Sequence, residues 1–170
     1  MFISILQQTP HWVWGLLAIL TIVGMKQTEP RLRSVRSATI WPVAMIALSF
    51  YGVVSVFLHQ PLALAAWAAG AVAALCVCDA LGAWRGVEWS SADRSLLVPG
   101  SWLPLILFLT LFCLKFGVSV AIAQSPALPL DADFAGLVGL AYGAFSGSFA
   151  ARGLAMWRVI RQASQRSAAY

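Results

Sequence analysis

Charge is scarce in this chain. Eleven Lys and Arg and six Asp and Glu make up only 10% of its 170 residues. A soluble domain usually carries about a quarter. A soluble chain this short exposes much of its surface, and with 61% hydrophobic residues it has too few charges to cover it. A bilayer removes the difficulty by acting as an apolar solvent. Cysteine is also sparse. Cys76, Cys78 and Cys113 all fall in apolar stretches, which does not imply a structural disulfide. Cys76 and Cys78 stand two apart, so on a helix they point to separate faces and cannot chelate one ion together. No nucleophile elbow, phosphate-binding glycine loop, H-E-x-x-H helix or haem motif occurs, and no basic-aromatic cluster suits a nucleic acid. No cofactor and no metal is expected, and an enzyme is the weakest reading.

Long apolar runs are abundant. A membrane helix needs about 20 such residues. Five segments qualify: 12–25 (with Phe2 to Leu6 as an outward extension), 39–58, 62–82, 101–123 and 135–157. They predict an all-α membrane protein, a single domain built as a bundle of five transmembrane helices, with a basic tail at 158–170. The first apolar run has neither a basic leader nor a small-x-small cleavage site, so it reads as a retained helix. Pro42 and Pro104 fall in expected first turns, where no helical hydrogen bond is lost, and the other prolines fall in connections. Between Trp84 and Gly100, two short β-prone runs flank the polar stretch Ser90-Ser91-Ala92-Asp93. They suggest a small hairpin, with an irregular interfacial loop as the alternative.

Orientation follows from the basic residues. Lys26, Arg31, Arg33, Arg36, Arg85, Arg94, Arg152, Arg158, Arg161 and Arg166 all fall on one side of the expected membrane. The other side has His11, His59, Asp131 and Asp133 but no Lys or Arg. The positive-inside rule then puts the N-terminus outside and the C-terminus in the cytoplasm. The net charge of +5 points to anionic lipid headgroups as partners rather than nucleic acid.

Three features invite a function. The last segment repeats Ala135, Gly139, Gly143, Gly147 and Ala151 at intervals of four, a ridge that lets a second helix approach closely. Such a ridge serves either a homodimer or other membrane partner, or packing inside one subunit, and the latter weighs more. Lys115 is a charge deep in the fourth segment, where it faces either a wet interior site or a structural acceptor. Ser119 lies one turn away, and Tyr51 and Tyr142 fall at a similar depth, so these four form a candidate polar site. Asp79 and Arg152 also match in depth and are expected to form an interhelical ion pair.

Three stretches are distinctive: Ile5 through Trp14, Pro99-Gly100-Ser101-Trp102-Leu103-Pro104, and Tyr142-Gly143-Ala144-Phe145-Ser146-Gly147 followed by Arg152. Together they make the chain resemble a family of small proteobacterial inner-membrane proteins of unknown function. The resemblance implies a bacterial inner-membrane location and carries no activity. The leading expectation is an accessory or assembly factor acting through helix packing. The alternative is a small transporter or channel built around Lys115.

Overall fold

A computed structural model describes residues 11–90 and 95–167. The expected extension at Phe2 to Leu6, most of the N-terminal motif and the polar turn at Ser91 to Asp93 lie outside the described residues. The described residues are dominated by five helices: α1 (His11–Met25), α2 (Val35–Phe57), α3 (Pro61–Ala80), α4 (Leu103–Gln124) and α5 (Ala132–Ser167). The last four are long and apolar enough to cross a membrane. The first has 15 described residues, about 22 Å at the helical rise, and begins at the edge of the described part of the chain.

The segments extend past several expected ends. Ser34 caps α2, its hydroxyl accepting from the Ser37 amide at 3.3 Å. The helix therefore starts at Val35, and Pro42 lies two turns inside it rather than in its first turn. Gly153 of α5 faces the Pro42 ring, whose nearest atom would be 3.2 Å from a Cβ there. A small residue thus accommodates the proline. Past residue 157 the basic tail continues α5 as helix.

Three short strands stand between the helices. β1 (Arg31–Arg33), β2 (Glu88–Ser90) and β3 (Ser95–Val98) form an antiparallel sheet in the order β1-β3-β2. The β2–β3 hairpin joins the two expected β-prone runs, pairing Trp89 with Leu96 and Ser90 with Ser95. The strand β1 was not expected. Its three residues carry one apolar side chain and become a strand by pairing with β3, with Leu32 opposite Leu97. Alternation along β3 buries Leu96 and Val98 against Ala38 and Met156 and leaves Leu97 outside.

The described chain forms two compact units. One contains α1 and α4. The C-terminal end of α1 meets the N-terminal end of α4 where Leu105 covers Gly24 and the Ser101 amide donates to the Gln27 carbonyl at 3.0 Å. The other contains α2, α3, α5 and the sheet. In this second unit α3 runs parallel to α5, with Ala63 beside Gly139, Trp67 beside Gly143 and Ala71 beside Gly147. α2 runs antiparallel to α5, since Pro42 faces Gly153 while Phe57 meets Phe134.

Candidate functional site

The ridge on α5 faces α3 of the same chain. A Cβ added at Gly139, Gly143 or Gly147 would strike the carbonyl oxygens of Ala63, Trp67 and Ala71 in turn. Gly70 of α3 returns the fit against the Leu140 carbonyl. Ala135 and Ala151, at the two ends of the ridge, are buried. With α3 on it, this ridge leaves no room for the same face of a second copy.

A polar hub lies beside the seam. The Ser49 hydroxyl of α2 donates to the Tyr142 carbonyl of α5 at 2.8 Å. It accepts from the Ser146 hydroxyl at 2.8 Å and from the Trp67 indole N–H of α3 at 3.3 Å. A hydroxyl has one proton and two lone pairs, so Ser49 uses its whole capacity and ties three helices together. Ser49 and Ser146 are buried. The depth of Trp67 in its apolar segment was the available signal. Nothing local marked Ser49.

At the C-terminal ends of α3 and α5 the chain opens into a cleft of about 450 Å³. The end of α3 makes it possible. Gly82 takes the left-handed conformation, with φ +61°. Its amide bonds the Asp79 carbonyl while the next amide, of Ala83, bonds the Cys78 carbonyl, a Schellman stop. The chain then turns back, and the side chain of Arg85 lies across Gly82 where a Cβ would otherwise stand. Asp79, on the last turn of α3, binds both terminal nitrogens of the Arg158 guanidinium, with Nη2 to Oδ2 at 3.2 Å. Trp84, Arg85, Arg158 and Gln162 all line the cleft.

The expected Asp79–Arg152 pair is therefore corrected to Asp79–Arg158. Partners along the α3–α5 seam are 76 residues apart, which puts Asp79 level with position 155. Helical side chains lean toward the N-terminus, so the arginine that reaches this level comes from one turn further on. Depth counting alone missed that lean. Arg152 is buried instead, with its guanidinium 5.0 Å from the centre of the Trp84 ring.

Of the residues expected around Lys115, two lie on α4 in one unit and two in the other. Lys115 and Ser119 are exposed on α4, and the Ser119 hydroxyl donates to the Lys115 carbonyl at 2.9 Å within its own helix. Tyr51 and Tyr142 belong to the other unit. Tyr51 is 66% exposed, whereas Tyr142 is 5% exposed with its ring edge against Gly52, so the two phenols do not share one chamber. Cys76 is exposed, and the Cys78 thiol donates to the Ser148 hydroxyl at 3.8 Å.

The fold and this site define a helical protein with four segments suited to a membrane and a basic cleft at one end of its larger unit. The chain belongs to a family of unknown function, DUF6622, whose match covers residues 1–170. Comparisons with curated proteins and with solved structures found no match.

Proposed function

We propose that the protein is a non-catalytic membrane scaffold, an accessory or assembly factor. It spans the bacterial inner membrane with five helices, N-terminus outside and C-terminus in the cytoplasm. One observation carries the orientation: the larger unit is electrically polarised from end to end. Arg33, Arg36, Arg85, Arg158 and Arg161 outnumber Asp79 and Glu88 at the end where the sheet packs on α5. His59, Asp131 and Asp133 gather at the opposite end, where the Gln60 amide donates to the Leu130 carbonyl at 2.9 Å. Cationic side chains favour the cytoplasmic surface, where the anionic lipids lie. α5 has 36 residues, about 54 Å, so it outruns the hydrocarbon layer and carries its basic end beyond it.

The scaffold role is supported by how small residues are used. The glycine ridge and the Ser49 hub fix three helices against one another and present the sheet and the cleft as a firm surface. Labelling of single cysteines in intact cells tests the orientation. Ser125→Cys, after α4, is expected to react with an impermeant maleimide, and Ser164→Cys, near the end of α5, only after lysis. The opposite pattern overturns it.

A second reading, a small transporter or channel, rests on Lys115 alone. A charge in the middle of an apolar helix is costly unless water or a polar partner meets it.

A further inference from the structure

The cleft at the ends of α3 and α5 is built more like a binding site than a plain ion pair. Asp79 accepts from Arg158 in a bidentate fork, and Arg85 acts on the same carboxylate through space. Among the residues that line the cleft, two guanidinium groups against one carboxylate leave a surplus of one positive charge. Arg158 keeps further N–H groups beyond the two given to Asp79, because a guanidinium has five donors. Gln162 adds an amide. The indole N–H of Trp84 is buried and has no acceptor among the described residues. Solvent does not reach that N–H, so the donors that the cleft itself offers are the guanidinium groups and the Gln162 amide. The ring itself is held under Arg152, so it does not readily turn its N–H outward.

These donors select an anion with several oxygens, and planar guanidinium forks fit a phosphate particularly well. A surplus of one positive charge matches a phosphodiester, which carries one negative charge. Asp79 disfavours a more highly charged group while it holds the Arg158 fork in place. The volume, about 450 Å³, is that of an ordinary small-ligand site. We infer that this cleft binds a phosphate group, presented by the headgroup of an anionic phospholipid in the cytoplasmic leaflet. The inference rests on the orientation proposed above, which brings the cleft to that leaflet.

The test uses the full chain in neutral detergent, with lipid retention read by native mass spectrometry and protection read as a shift in Tm. The probes are dioleoylphosphatidylglycerol, dioleoylglycerol (which has the same chains and no phosphate) and inorganic phosphate. Phosphatidylglycerol is expected to bind and protect, and dioleoylglycerol is not. Arg85→Gln should weaken retention about tenfold, since a charge-assisted hydrogen bond is lost. Arg161→Gln removes a charge that stacks on Trp157 outside the cleft and should leave retention unchanged. If inorganic phosphate alone protects with the same dependence on Arg85, the phosphate site stands and its source is soluble. Equal losses for Arg85→Gln and Arg161→Gln, or equal protection by dioleoylglycerol, overturn the proposal. Labelling at position 164 separates the two readings. Lipid binding that depends on Arg85, with Ser164→Cys reactive from outside, overturns the orientation and keeps the site. A cytoplasmic Ser164→Cys without that dependence keeps the orientation and removes the site.

Discussion

Asp79 and Arg158 meet across two parallel helices, and Arg158 stands three residues beyond the level that the α3–α5 seam assigns to Asp79. The offset is the reach of an arginine that leans back toward the start of its helix. Both side chains are at least half exposed, so solvent screens the pair. A double-mutant cycle of Asp79→Asn with Arg158→Gln should give a small favourable coupling. The same cycle with Arg152→Gln should give less. A larger coupling for Arg152 would show that the pairing differs from this geometry.

The glycine seam should tolerate nothing larger than hydrogen. Gly143→Leu and Gly147→Leu push a branched side chain into a backbone carbonyl of α3. Each should cost at the upper end of about 1–3 kcal/mol, or prevent assembly of the unit. Gly117 on α4 meets nothing within 4 Å of an added Cβ. Gly117→Ala should therefore stay within about 1 kcal/mol of the parent and serve as the control. Thermal unfolding in detergent compares the three. Wild-type stability in both leucine variants contradicts the seam.

Ser49 serves three partners with one hydroxyl. Ser49→Ala removes the donor to the Tyr142 carbonyl and the acceptor for Ser146 and Trp67. The expected loss is about 1–2 kcal/mol. Ser146→Ala breaks only one of the three bonds and should cost less. Near-ultraviolet circular dichroism of the Ser49→Ala protein should report loosened packing around Trp67. An unchanged signal together with unchanged Tm would remove the hub from the stability argument.

Lys115 separates the scaffold from the transporter. In a scaffold its charge has no ligand to hold, and Lys115→Met should be neutral or stabilising because an apolar isostere removes a desolvation cost. In a transporter the same variant should fold normally and lose anion binding or flux in proteoliposomes. Chloride and phosphate uptake assays on parent and variant decide between them.

Much of the helical framework is legible in the sequence because a bilayer imposes a length on every apolar segment. The spans on α3, α4 and most of α5 follow from that constraint, and the β2–β3 hairpin follows from β-prone runs around a polar turn. The spacing of Gly139, Gly143 and Gly147 marks a close contact, since glycine at every fourth position gives one flat helix face. Tertiary structure decides what lies on that face: the carbonyls of Ala63, Trp67 and Ala71. It also decides that Arg31 to Arg33 is a strand, because a three-residue segment gains its structure from the β3 backbone it pairs with. It gives Ser49 three partners from distant parts of the chain, and it gives Asp79 to Arg158 rather than Arg152. Sequence fixes depth along each helix through the rise per residue, but rotation and side-chain lean emerge only when two helices are in register.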